Sequence, residues 1–598
     1  MNIKDIKNEV LKKVEDGIEK VFKEKVEEPK LYLEFPPNVN FGDFTLNCFQ
    51  IAKKMGENPQ KIAQLVAKEI SPNDLIEKVE AVGPYLNFKI KNDVLFKNVC
   101  SEIITKDENF GNSEVGKGKR VMVEYLSPNT NKPLHLGHIR NGALGMAISN
   151  LLETTGHTVI KANLINDKGV HICKSMLAWQ KWGKGKTPES EGVKGDLFVG
   201  DWYVRYSKEA EKNENLENEV QKMIKKWEEG DPETVELWKM MNSWVYDGFE
   251  KTYQKIGLKF DVFYYESNTY NLGKDIIEQG LKRGVFYRDG KNAVIFNLPE
   301  EFGRDEKGES KKITLLRPNG TSVYMTQDLG TALLKFKEYN LGQSIYVVGS
   351  EQNYHFKCLF KILEALDYPW IKECYHLSYG MVYLPEGKMK SRKGKVVDAD
   401  DLIEEMEKLA VKEIEKKEKN LSKEEKNSRA AKIGIGAIKF YLLRVHPGQD
   451  IYFEPEKSIS FDGFTGPYCQ YAYVRTVGIL KNAFLADTAL ADMLRNTVID
   501  IEKIDFSLLK SQEELLLAQK LIQFPDEIIS ATDKFNPSRI VQHIYETAKV
   551  FNQFYHLHPV IYQEDKELAK ARLALVKATA IVLKKGLNLL GIECLERM

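Results

Sequence analysis

Cysteine is sparse and unpatterned in this chain of 598 residues: Cys48, Cys100, Cys173, Cys358, Cys374, Cys469 and Cys594, with no C-x-x-C pair. An odd, scattered set argues against a disulfide framework or a zinc ribbon and for reduced thiols in a cytosol. Long apolar runs are missing as well. No stretch of 18 uninterrupted apolar residues occurs, which argues against a membrane-spanning helix. The opening MNIKDIKNEVLKKVEDGIEK is a charged amphipathic helix without the apolar centre of a secretory signal. Net charge is absent too, with 87 Lys and Arg against 87 Asp and Glu, so the chain as a whole carries no nucleic-acid signal, although a local basic face is allowed. The expectation is a cytoplasmic protein with no membrane association.

What is present is the composition of a folded globular protein, 42% hydrophobic and 29% charged. At about 100–200 residues per domain, the length predicts three to five domains. Residues 1–112 read as a small α/β domain: an opening helix, the turn FPPNVNFGDF, a helix through ENPQKIAQLVAKEI and the strand-like run VEAVGPYLNFKI. The polar stretch KDENFGNSEVGKGKR reads as a linker. From 113 to 455 strands and helices alternate. VMVEYL (121–126) is a short strand, a helix follows over about 135–155, and TVIKANLIND (158–167) is a second strand. That βαβ order predicts a Rossmann-type parallel sheet with a ligand at the carboxyl ends of its strands. Residues from about 185 to 250, tryptophan-bearing and mixed in charge, look like a helical insertion decorating the sheet. GVFYRDGKNAVIFNL predicts a hairpin turning at Asp289-Gly290, SIYVVGS (344–350) a buried strand, and HLSYGMVYL another strand ending in the loop PEGKMKSRKGK. Residues 456–598 read as an all-α domain.

The chemistry centres on SPNTNKPLHLGHIRNGALG (127–145), where a Pro/Asn-rich turn becomes a helix. The first N–H groups of a helix lack intrahelical partners and carry the positive end of its dipole, a position suited to phosphate. His135 and His138, three apart, share a face and add two donors, while Gly137 leaves room for a nucleotide close to the backbone. A polar helix cap with two incidental histidines is the competing account. A zinc site is disfavoured because no third ligand stands at a recognisable spacing. Far downstream, GKMKSRKGK (387–395) is a Gly-bounded basic loop able to neutralise charge developing on a leaving pyrophosphate. Alone, such a loop is solvated surface; together with H-x-G-H it is no longer generic and fits phosphoryl or nucleotidyl transfer.

HLGH (135–138) and KMKSR (388–392) resemble the two signature motifs of class I aminoacyl-tRNA synthetases, and EYLSPNTNKPLHLGH is similar to the arginyl branch of that class. The likeness continues through FGDF, GPYLNF, VYMTQDLGTAL, YVVGSEQNYH, QYAYVR, FNQFYHLHPV and the final ERM. The resemblance implies an α/β multidomain fold with a small α/β amino-terminal tRNA-elbow domain, a Rossmann-type catalytic domain and an all-α anticodon-binding domain. It implies ATP-dependent ligation of arginine to tRNA(Arg) through arginyl-adenylate, with Mg2+ carried on the nucleotide and no dedicated protein metal site.

Position by position, the resemblance implies that His135, Gly137 and His138 hold ATP, with Lys388 and Ser391 acting from the basic loop and the backbone of Gly380 and Met381 contacting adenine. The common KMSKS pattern has a second lysine where this chain has Ser391, followed by Arg392. Arginyl enzymes with that departure commonly carry a lysine just before the histidines, where Lys132 stands; the charge is then shared among Lys132, Lys388, Lys390 and Arg392. For arginine, Glu124 and Asp328 are the implied carboxylates, since a planar guanidinium calls for them. Tyr324 and Gln352 line the pocket, and Asn129 holds the α-amino and carboxylate groups, with Ser127 beside it. For tRNA, Tyr85 and Asn87 match elbow-reading positions, and Gln470, Tyr471, Tyr473 and Arg475 lie on an anticodon-facing helix. The family also implies a monomer and activation that awaits bound tRNA. His171 and His355 stand near these motifs without an assigned role. Two alternatives stay open here: a class I synthetase for another amino acid, or an inactive tRNA-binding relative.

Overall fold

Five parallel strands build the centre of the molecule, in the spatial order Cys374–Tyr379, Gln343–Gly349, Arg120–Glu124, Thr158–Ile165, Val262–Tyr265. The earliest of them in sequence sits in the middle, so the chain winds outward in both directions and opens a crevice at the carboxyl ends, where the order reverses. This is the parallel sheet expected from the βαβ pattern. The computed structural model from which it is described covers all residues except 1–2, 24–32, 37–38, 307, 386–396, 419, 487–500 and 563. The basic loop with Lys388, Lys390, Ser391 and Arg392 lies outside the described residues.

The helix Leu136–Thr154 follows the central strand and is buried almost all round. Its small residues allow this: a Cβ added at Gly145 would stand 2.2 Å from Tyr125 Cγ, so only glycine lets the helix press onto that ring. Its far end reaches the carboxyl-terminal helices. Asn150 Nδ2 donates to Leu589 O at 3.2 Å, and Thr532 Oγ1 donates to Leu151 O at 3.4 Å. One element therefore links the sheet's crevice to the helical domain, and one buried apolar cluster runs from Ile3 to Met598.

Four expectations need adjustment. VEAVGPYLNFKI is two strands, Ile76–Val82 and Tyr85–Ile90, paired antiparallel; Gly83, at φ 57°, makes the turn a single strand could not contain. They join Phe44–Asn47 and Leu33–Glu34 in a four-stranded sheet. HLSYGMVYL breaks at Gly380: Val382–Tyr383 leaves the main sheet and pairs with Ile451–Tyr452 instead. Helical structure begins earlier than expected, with Ala399–Lys417 and Lys423–Leu443, and the latter packs on Gly466–Ala486 so tightly that a Cβ at Gly466 would meet Gly436 O at 2.8 Å. The insertion does more than decorate. Its helix Gly195–Ala210 packs onto the turn before the histidines, where a Cβ at Gly200 would stand 2.7 Å from Pro133 Cδ.

Candidate active site

His135 is the N-cap of the helix Leu136–Thr154 and His138 its third residue. The backbone N–H of Gly137 donates to His135 Nδ1 at 3.2 Å, and the backbone N–H of His135 donates to His138 Nδ1 at 3.1 Å. The two imidazoles thus form a reciprocal capping box with ring centroids 3.8 Å apart. An Nδ1 that accepts carries no proton, so a neutral ring must hold its hydrogen on Nε2. Burial and nearby Lys132 push His135 down to about 4, and burial pushes His138 well below the ordinary histidine range, with His135 and Lys132 adding to the shift. At neutral pH the corner therefore offers two uncharged Nε2–H donors of fixed tautomer. The helix-cap account describes this geometry, and the cap fixes the direction of both Nε2–H donors.

The cationic component comes from Lys132. Burial lowers its pKa, and among the described residues no carboxylate pairs with it. The far flank of the basic loop lies against the same corner: Leu136 N–H donates to Val397 O at 3.2 Å and Ala399 N–H to Leu134 O at 2.9 Å, bridging His135 and Asp398. The near flank, Gly380–Met381, is held by Arg140, two residues beyond His138. Residues 380–381 and 397–399 thus both contact the histidine helix or the turn before it. The backbone groups of Gly380 and Met381 are themselves engaged: Gly380 N–H with Pro447 O, Met381 N–H with Asp450 Oδ1, and Met381 O with Ile451 N–H.

Acidic side chains converge on the crevice from two strand ends and a helix. Glu266, just past Val262–Tyr265, is 7% exposed. Burial raises its carboxyl to about 7, while Lys168 and a hydrogen bond from Gln327 lower it and Asp167 and Asp328 raise it further. Asp328, on the helix Tyr324–Tyr339, receives His355 Nε2 at 2.6 Å. Asp167 is saturated, bonded by Ser267 N–H, Ser267 Oγ and Tyr246 OH, and serves as a brace. Tyr324 is 64% exposed at the start of its helix, beside Glu266 and Gln327 on a cleft of about 600 Å³. Gln352 is exposed on the turn after Gln343–Gly349. Ser127 and Asn129 follow the central strand. Leu126 and Ser127 both hold positive φ, 79° and 46°, a strained bend at the crevice. Asn129 is bridged to Asn166 at the end of the next strand.

Glu124, expected as a guanidinium partner, already has an internal one. It is buried and paired with Lys335, itself 1% exposed, so its charge is already neutralised and a guanidinium would have to compete with an internal ammonium.

The amino-acid sequence of the chain has clear relatives. Residues 99–454 match the profile of "tRNA synthetases class I (R), catalytic domain", 8–90 that of "Arginyl tRNA synthetase N terminal domain" and 469–598 that of "DALR anticodon binding domain". The arginine–tRNA ligase of Treponema denticola is 43% identical over 604 aligned residues, covering 100% of both chains. The chain belongs to the arginyl-tRNA synthetase family. Arginyl-tRNA synthetase of Thermus thermophilus superposes with a TM-score of 0.81 at 25% identity, covering 99% of this chain and 100% of that one. That of Plasmodium falciparum, at 20% identity and a TM-score of 0.76 over 99% of each chain, shares the fold.

The residues expected to face tRNA divide sharply by exposure. Tyr85 is 40% exposed at a strand start, whereas Asn87 is 5% exposed within the sheet, so only the ring faces solvent. Gln470 is a correction: it is fully buried and its Nε2 donates to Glu593 O at 2.9 Å, tying the helix to the carboxyl-terminal segment. Nor do the four residues form one face. Arg475 donates to Asn552 Oδ1 at 2.7 Å and lies over Tyr471 and Tyr555, while Tyr473 turns toward Lys584 and Glu596. His171 Nδ1 lies 3.0 Å from Tyr203 OH and joins the insertion to the crevice. No described helix is long and apolar enough to cross a membrane.

Sequence reasoning missed Arg140, Asn141, Glu266 and Lys335. Arg140 and Asn141 carried a signal: two adjacent polar residues inside an apolar helix must have buried partners. Asn141 accepts from Leu126 N–H and donates to Val347 O and Tyr379 OH, locking three strand ends. Glu266 and Lys335 carried no local signal.

Proposed function

We infer that this enzyme ligates L-arginine to tRNA(Arg) in two ATP-dependent steps, as an arginine–tRNA ligase. The carrying observation is the capped histidine pair: two neutral Nε2–H donors fixed at a helix start, bracketed by both flanks of a lysine-rich segment. Preorganised donors of this kind pay no reorganisation cost as charge develops on a transferring phosphoryl group.

In the first step an oxygen of arginine's carboxylate attacks the α-phosphorus of ATP, the bond to the bridging oxygen breaks, and pyrophosphate leaves. His135 and His138 donate to phosphate oxygens, and Lys132, Lys388 and Ser391 complete the cradle from either side. Glu266 and Asp328 take the guanidinium; Glu266 was not foreseen and stands in for Glu124, whose charge Lys335 consumes. Tyr324 and Gln352 flank the amino acid, Ser127 and Asn129 face its α-amino and carboxylate groups, and adenine lies against Gly380 and Met381. In the second step a ribose hydroxyl of the terminal adenosine attacks the adenylate carbonyl and AMP leaves. No covalent enzyme intermediate is needed. Mg2+ enters on the nucleotide's phosphates, as part of the substrate.

On the same reading Tyr85 stacks at the tRNA elbow, Tyr471 and Arg475 face the anticodon with Tyr555, and the enzyme works as a cytoplasmic monomer built from units 1–112, 113–455 and 456–598. Amino-acid-dependent pyrophosphate exchange across twenty amino acids, with total tRNA present, is the test. Exchange with arginine alone is expected; exchange with another amino acid, or with none, overturns the reading.

A further inference from the structure

Arg140 is the largest fully buried side chain of the described residues, and no carboxylate pairs with it there. Its acceptors are backbone carbonyls from two segments: one terminal nitrogen donates to Gly380 O and Met381 O, the other to Pro447 O and Gln449 O. Those segments are already zipped together. Val382–Tyr383 pairs with Ile451–Tyr452, Gly380 N–H donates to Pro447 O, and a Cβ at Gly380 would stand 2.4 Å from Gln449 C. This small unit stands apart from the main sheet, and Arg140 nails it to the helix whose first turn carries His135 and His138. A planar fork of five N–H donors suits four carbonyls on two sides; a lysine has three donors around a single point and cannot span them.

We propose that Arg140 is a positioning residue for the nucleotide, fixing the Gly380–Met381 backbone at a set distance from the histidine donors so that adenine and phosphates are gripped in one register. Arginine is held by other strand ends and does not depend on that distance. The inference rests on the adenine reading of Gly380 and Met381. Binding geometry off by a fraction of an ångström is felt by the group that spans both anchors, and that group is ATP.

The test is tRNA-dependent pyrophosphate exchange by the full chain, with KM for ATP and for arginine measured separately, for R140K, D450A and G380A. Asp450 is exposed and bonds only the edge of the unit, through Met381 N–H, so D450A is expected to fold even if R140K does not. Losing one or two charge-assisted hydrogen bonds predicts a rise of roughly tenfold in KM for ATP in R140K, and a smaller one in D450A, with KM for arginine within about twofold. A parallel rise in both constants, or none in either variant, overturns the proposal and leaves Arg140 as a packing residue. G380A separates the two layers, because a Cβ there would stand 2.4 Å from Gln449 C and must shift the backbone itself. If G380A leaves KM for ATP unchanged, the adenine reading fails and takes this inference with it. If G380A raises it while R140K and D450A do not, only the positioning role fails.

Discussion

The histidine corner and the carboxylate cluster face the same crevice and are built on opposite principles. In the corner each imidazole has one nitrogen tied to a backbone N–H, leaving the other fixed and uncharged, so there is nothing left to rearrange. In the cluster, Glu266 is buried beside Asp167 and Asp328 with only partial compensation from Lys168, so the local charge is short of a cation. Rigid donors suit a transition state whose charge moves over a phosphoryl group; under-compensated acids suit a ground-state cation that must be selected. On the proposed reading the difference separates catalysis from specificity, so each should be breakable alone.

The largest effect is expected at the corner. His138→Ala should lower single-turnover adenylate formation by about 10²–10³, the range for one preorganised donor, with arginine binding retained. A variant that loses arginine affinity instead merges the two regions. Next, Glu266→Gln should raise KM for arginine by roughly ten- to a hundredfold, as expected for a buried charge-assisted bond, and leave KM for ATP unchanged. The pH profile sharpens the contrast. Glu266 stands at about 7 against an ordinary 4.5, and a guanidinium needs the carboxylate, so arginine affinity should fall as pH drops through 7 and binding near pH 7 should release protons. Calorimetry in buffers of different ionisation enthalpy reads that release, and Glu266→Gln should abolish it.

Stability carries the opposite signs. Between about 7 and 4.5 the folded state holds the Glu266 proton more tightly than the unfolded chain, so acidification stabilises through this group. His135, depressed to about 4 from 6.5, does the reverse: its contribution is present above 6.5 and is lost as pH falls toward 4. The melting temperature of Glu266→Gln should therefore fall more steeply on acidification than that of the parent enzyme. The smallest contrast lies in the tRNA-facing residues. Tyr85→Ala should weaken tRNA binding by the ~1–3 kcal/mol of one lost stack, while Gln470→Ala lowers the melting temperature and leaves KM for tRNA unchanged.

The two regions also differ in how plainly the sequence announces them. The corner is local: a cap, a glycine and a third-residue partner lie within four positions, so helix geometry alone places His135 beside His138. The sheet was legible for the same reason, since Arg120–Glu124, Leu136–Thr154 and Thr158–Ile165 are consecutive. The cluster is assembled from two strand ends and a helix far apart in sequence, and nothing near Glu266 marks it as facing Asp328. Glu124 shows the converse. Its neighbours match the family closely, yet Lys335, arriving from a helix more than two hundred residues away, gives it a buried partner that no local pattern announces. Gln470 and Asn87 looked like readers because amides suit bases; burial, which sequence patterns alone leave open, gives Gln470 an internal partner and Asn87 a place inside a sheet.

The most direct test of the account is the protonation state of the two imidazoles. Nitrogen-15 spectra of enzyme labelled at histidine, assigned with His135→Asn and His138→Asn, should show both rings neutral with hydrogen on Nε2 from pH 6 to 8. An imidazolium at pH 7, or hydrogen on Nδ1 in either ring, would contradict it.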